Sequence, residues 1–123
     1  MQPRVFLLAI AAAAGMLSPA WAHHSHGNYQ LTEYTYLEGT VTEFIFINPH
    51  SWVYLSVAGD DGESTIWALE SGSVRALQRA GVADDTIAPG DKVSVRCHQL
   101  KDGANGCLLG FLTTPAGVET EWD

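Results

Sequence analysis

Strand-like patterns of apolar and polar positions recur along this chain from Tyr34 onward, and they give way to a helical spacing once. From Tyr34 to Ile47 β-branched and aromatic residues crowd together, the composition of a long strand. The alternation slips near Glu43-Phe44, as it does at a β-bulge, and Gly39 is read as a bend. Asn48-Pro49-His50 then reads as a turn, with asparagine suited to the first position and proline to the second. Ser51 to Val57 alternates cleanly: Val53, Leu55 and Val57 face one side, Trp52, Tyr54 and Ser56 the other. Gly59-Asp60-Asp61-Gly62 predicts a hairpin turn, and Ser64 to Leu69 a third strand carrying Trp67.

The helical stretch follows. Ser71 or Ser73 can cap it, Val74 to Ala80 has helix-favouring composition, and Val74 and Leu77 share a face. Arg79 complements the negative end, and Gly81 stops the helix. After the turn Pro89-Gly90-Asp91, Lys92 to Gln99 reads as a fourth strand, with Val93, Val95 and Cys97 on one face. Cys107 to Thr113 reads as a fifth. Three strands, a helix and two strands is the element order of the OB-fold, a five-stranded Greek-key barrel with its helix between strands three and four. The expected fold is therefore mainly β, a small OB-like barrel over residues 34–118. The rival is a small sandwich, or an open sheet with one helix across it.

The first 22 residues follow another logic. Arg4 supplies a short positive region, Val5 to Leu17 an apolar run, and Ala20-Trp21-Ala22 a small-x-small cleavage site. That run is shorter than the roughly 20 residues a membrane span needs. The expectation is a signal peptide over 1–22, an arm over 23–33, and a product in the periplasm or secreted, without stable membrane insertion after processing. Cleavage after Ala20 is the alternative. The formal charge of −8 grows by one when Arg4 leaves. Such an acidic domain disfavours nucleic-acid partners, whose phosphates require Lys and Arg, and favours cations. The remainder, about one hundred residues, is one domain by length, with residues 119–123 read as an acidic tail.

Cys97 and Cys107 flank a turn-rich segment, Lys101 to Gly106. In an exported protein a disulfide is the expected state, worth about 3 kcal/mol by loop closure. A thiolate metal site is the competing reading.

The candidate chemistry lies in His23-His24-Ser25-His26, directly after Ala22. If cleavage falls there, His23 offers both its free amine and its Nδ1 to one metal ion, and a second histidine completes a T-shaped set of three nitrogens. Copper is the first choice, because Cu(II) prefers tetragonal nitrogen sites, and zinc the second. His24, His26 and His50 are the candidate partners. His50 is the most interesting, because its loop borders the usual ligand face of an OB-fold and Pro49 stiffens it. Trp52 would flank it, Asn48 shares its loop, and Glu70 is a candidate oxygen ligand or an acceptor behind a ligating histidine. His98 is the weaker candidate, a surface histidine by its alternation. The bland readings stand beside these: a polar arm, a turn histidine, packing aromatics, a solvated strand-end carboxylate.

Several motifs together resemble a family of small exported bacterial proteins of unknown function. They are His23-His24-Ser25, Leu37 to Val41, Asn48 to Trp52, Trp67 to Ser73, and Pro89 to Val93. The resemblance implies export and the domain boundaries; it implies no activity. Three readings of function follow. The first is an exported metal-binding module for storage, delivery or sensing, whose binding weakens below about pH 6.5 as imidazoles protonate. The second is a non-metal module that binds a ligand or a periplasmic protein through the face near Asn48 to Trp52. Last comes a copper enzyme, since no further catalytic groups accompany the histidines; the chain carries no nucleophile elbow, phosphate loop or dinucleotide fingerprint.

Overall fold

A computed structural model describes residues 26–123. The expected leader, its cleavage site, His23 and His24 lie outside the described residues. Six strands and one helix follow in order: β1 (Thr35–Ile45), β2 (Trp52–Ala58), β3 (Ser64–Glu70), α1 (Val74–Arg79), β4 (Lys92–Gln99), β5 (Gly106–Thr113) and β6 (Glu119–Glu121). The strands hydrogen-bond in the order β3-β2-β1-β4-β5-β6. A parallel pairing of β3 with β5, through Ala68 to Glu70, closes the first five into a barrel. The OB-like barrel expected from the element order is the fold.

Local chemistry explains the elements. In β1 the inward residues are Leu37 and Val41, then Phe44, which pairs with Val53. The inward phase changes from odd to even because the β1–β2 register shifts between Val41 and Glu43. This is the bulge that the slipped alternation predicted, and it bends the long strand around the barrel. Ser73 caps α1, its side chain accepting from the Ala76 N–H at 3.2 Å. Gly81 ends the helix at a φ of 85°, a left-handed conformation that costs glycine least. The disulfide Cys97–Cys107 is formed and wholly buried, joining the ends of β4 and β5.

The core lies inside the barrel: Val41, Val53, Leu55, Leu69, Leu109 and Leu112, capped by Leu77 of the helix and by Ile87. Two features depart from the expectation. First, residues 119–121 of the anticipated acidic tail form β6 against β5, and the next residue, Trp122, is completely buried in the core. The short Glu119-Thr120-Glu121 run shows only polar residues, so no alternation announces it. Second, a register shift between Arg96 and Cys97 leaves Gly110 of β5 opposite no residue. Its carbonyl accepts from the Trp122 N–H at 2.8 Å, which ties the tail to the barrel. No helix among the described residues is long and apolar enough to cross a membrane.

Candidate functional site

The loop between β1 and β2 is clamped to the loop between β3 and α1. Ser51 is buried; its N–H donates to the Gly72 carbonyl at 3.0 Å, and its carbonyl accepts from the Ser71 N–H at 2.8 Å and the Ser71 hydroxyl at 3.1 Å. Its hydroxyl turns back on its own loop, accepting from the Ile47 N–H and donating to the Ile47 carbonyl. The Asn48 side-chain oxygen accepts from the Val74 N–H at 3.0 Å. Asn48, a candidate for the ligand face by sequence, thus satisfies an otherwise unpaired donor in the first turn of α1. These bonds hold His50 at a defined place, across the Asn48–Pro49 cis peptide.

The place is beside Glu70. Trp52 pairs with Glu70 across β2 and β3, on the outer face of the barrel. The His50 Nδ1 lies 3.3 Å from Glu70 Oε1. Glu70 is only 7% exposed, and its other oxygen, Oε2, accepts a 2.6 Å hydrogen bond from the Tyr29 hydroxyl. A buried carboxylate requires such partners, since removal from water is costly for a charge without them. Glu70 therefore joins a phenol from the N-terminal arm to an imidazole from the β1–β2 loop.

Tyr29 went unnoticed in the sequence because it is one aromatic among polar arm residues. In the structure the arm is laid along the barrel. Tyr29 bridges to Leu100, the Gln30 N–H donates to the Gln99 carbonyl at 2.8 Å, and the Lys101 N–H donates to the Asn28 carbonyl at 2.8 Å. Burial, then the hydrogen bond and the negative charge of Glu70, push the Tyr29 phenol well above its ordinary pKa. The unfolded phenol ionises near pH 10, while the folded one stays neutral, so above about pH 10 the unfolded state binds fewer protons and stability falls. This contribution is fully present below that pH and lost above it. Urea midpoints measured between about pH 9 and 11 should decline, and Tyr29→Phe should flatten that decline. An unchanged slope in the variant would mean that the phenol is not held neutral.

The other histidines are placed as follows. His26 is exposed; its carbonyl accepts from the Tyr29 N–H, and its Nε2 stands 3.9 Å from Asp123 Oδ1. The chain end reaches the same region, because the Trp122 carbonyl accepts from the Gly72 N–H. His98 belongs elsewhere. Its ring stacks on Tyr34 at 4.5 Å, and its Nδ1 is 2.7 Å from the Glu33 carbonyl, which only accepts, so that nitrogen carries the proton. Trp52 and Tyr54, at the start of β2, stack at 6.5 Å. Among the described residues, no three His, Cys, Asp or Glu side chains converge on one point as a metal set would. The disulfide removes the cysteines from consideration as thiolate ligands.

Closed barrel, clamped loop and Tyr29–Glu70–His50 chain define the class: a small OB-like module with a polar relay on its outer face, where the N-terminal arm docks. The chain belongs to DUF6152, a family of unknown function, whose model matches residues 10–109. No curated protein and no solved structure matches it.

Proposed function

We propose that this protein is an exported metal-binding module, with copper as the preferred ion and zinc the next. The observation that carries the reading is the placement of His50 against buried Glu70. Ligating histidines commonly present one ring nitrogen to a carboxylate, which fixes the tautomer and leaves the other nitrogen's lone pair for the metal. Here the Nδ1 side of His50 faces Glu70, so Nε2 is the ligating atom. The docked arm carries His26 and, ahead of it in sequence, His23 and His24. Processing after Ala22 would make the His23 amine and Nδ1 a chelating pair, and these nitrogens with His50 Nε2 would supply the tetragonal set that Cu(II) favours. The acidic surface charge works in the same direction.

The test is calorimetric titration of Cu(II) into natively processed protein, His50→Ala and His98→Ala. Wild type and His98→Ala should bind alike, and His50→Ala more weakly. Equal affinity in all three removes His50 from the site. An added residue ahead of His23 should also weaken binding by blocking the amine. The stacked Trp52–Tyr54 pair, with Ile47 and Ile66 half exposed nearby in sequence and sheet, favours a second reading. In it the same face binds a periplasmic partner or ligand without metal, and Trp52→Ala, rather than His50→Ala, abolishes capture.

A further inference from the structure

Strand register lines up the outward side chains of β1, β4 and β5 in cross-strand rows: Thr40 with Lys92, Glu38 with Ser94 and Thr113, Tyr36 with Arg96 and Phe111. Two adjoining hollows of about 470 and 430 Å³ lie over these rows, and Glu38, Ser94 and Thr113 line both. Each is of the size that takes a small ligand. Together they form an open groove, bordered by Ala58 and Ser64 in the larger hollow and by Tyr36, Arg96 and Glu119 in the smaller. Ala58 ends the strand that begins beside the His50 loop, and Thr113 ends the strand whose beginning pairs with Glu70. The larger hollow is therefore at the other end of both strands from that pair of residues.

Thr40, Ser56, Ser64, Ser94 and Thr113 bring hydroxyls to the larger hollow. Among the described residues none of these hydroxyls bonds to protein, whereas those of Thr42, Ser51, Ser71 and Ser73 do. Glu38 and Lys92, in the same hollow, form no ion pair among the described residues. Hydroxyls donate and accept, the carboxylate accepts and the ammonium donates, so the lining matches a ligand rich in hydroxyl groups. Charge points the same way. The chain as a whole is strongly acidic, at −8, yet the groove sets Lys92 and Arg96 against Glu38 and Glu119. Balanced signs favour a neutral ligand over an anion or a cation. The Tyr36 ring, 74% exposed, supplies a flat apolar surface in the smaller hollow. Arg96 is held 3.8 Å over the Phe111 ring and 2.9 Å from Glu119, so its other donors lose little freedom on binding. An extended peptide fits less well. Thr40 is already paired with Ser56 and Lys92, and Ser94 with Glu38 and Thr113, which leaves no free strand edge on the groove floor.

We propose that this groove binds a neutral oligosaccharide, with one sugar ring stacked on Tyr36 and the next hydrogen-bonded by Glu38, Lys92 and the surrounding hydroxyls. A pyranose has the two surfaces this requires. Its C–H groups form an apolar face that lies on an aromatic ring. Its rim of hydroxyls displaces water from polar side chains and replaces the hydrogen bonds that the water made. The groove shares no residue with the proposed metal site, so neither reading depends on the other.

The test is titration of cellotriose, maltotriose and triacetylchitotriose, each separately, into the whole protein, with amide NMR shifts reporting place and affinity. At least one sugar should shift the amides of Tyr36, Glu38, Ser94 and Thr113 saturably and leave those of His50 and Glu70 unmoved. Tyr36→Ala should weaken that sugar about tenfold and Glu38→Ala about fivefold, while Tyr36→Phe keeps most of the affinity. Arg75→Ala, exposed on α1, should bind as wild type. Tyr36 and Glu38 are both exposed, so unchanged urea midpoints in their alanine variants assign the loss to binding. Trisaccharides that leave these amides unmoved overturn the proposal. So do shifts that persist undiminished in both alanine variants. Tighter binding of trigalacturonic acid or of trilysine than of every neutral sugar overturns it as well, because the groove would then be reading charge.

Discussion

Trp122→Ala should cost about 3–5 kcal/mol of folding stability, the range for truncating a large buried aromatic. Trp122 is 0% exposed, packs its ring 5.4 Å from that of Phe44, and sits one residue from the chain's last. Its backbone contributes as well: the N–H donates to Gly110 and the carbonyl accepts from Gly72. The end of the chain is thus part of the core, and the alanine leaves a cavity that a closed barrel cannot easily collapse. Trp122→Phe is the informative companion. Among the described residues the indole Nε1 has no hydrogen-bond partner, so phenylalanine removes an unsatisfied donor along with the second ring, and its cost should be distinctly smaller than alanine's. Urea unfolding of the three proteins measures both differences. An alanine variant within about 1 kcal/mol of wild type would show that Trp122 does not fill the core.

On the proposed metal-binding reading, Glu70→Gln should weaken copper binding by about 10–100-fold while leaving the barrel folded. The reason is the position of a proton. A carboxylate only accepts, so it favours the His50 tautomer with the proton on Nδ1, and Nε2 keeps its lone pair. The glutamine oxygen can still accept from Tyr29, but its NH2 group then faces His50 Nδ1 and donates to it. That moves the imidazole proton to Nε2, where it blocks ligation. The substitution nearly preserves shape, so a loss of affinity without a shift of the urea midpoint assigns the effect to the proposed site rather than to the fold. Wild-type affinity in Glu70→Gln would separate Glu70 from the proposed metal site and return it to a purely structural part.

Much of the fold was legible because its signals are local. Val53, Leu55 and Val57 alternate with Trp52 and Tyr54 as β2 requires, and the bulge in β1 shows as a slip in that alternation. The capping Ser73 and the stopping Gly81 lie next to the helix they bound. The cysteine pair flanks its turn closely enough for the disulfide to be expected. His50 and Glu70 were legible as candidates, but their contact was not. Nor was the role of Asn48, whose partner Val74 lies 26 positions away. Trp122 and Tyr29 were missed for a shared reason. Each is a single aromatic in a polar run, and one apolar residue has no period.

By itself, then, the order of residues determined β1 to β5, the helix, the turns and the disulfide, because backbone preference and side-chain alternation act over a few neighbouring positions. Barrel closure decided everything that depends on distant partners. It brought β3 against β5, drew Trp122 into the core, and set Tyr29 and His50 on the two oxygens of one buried carboxylate. A buried charge takes whatever donors the closed fold delivers, and which donors those are is a property of three-dimensional register rather than of any stretch of sequence.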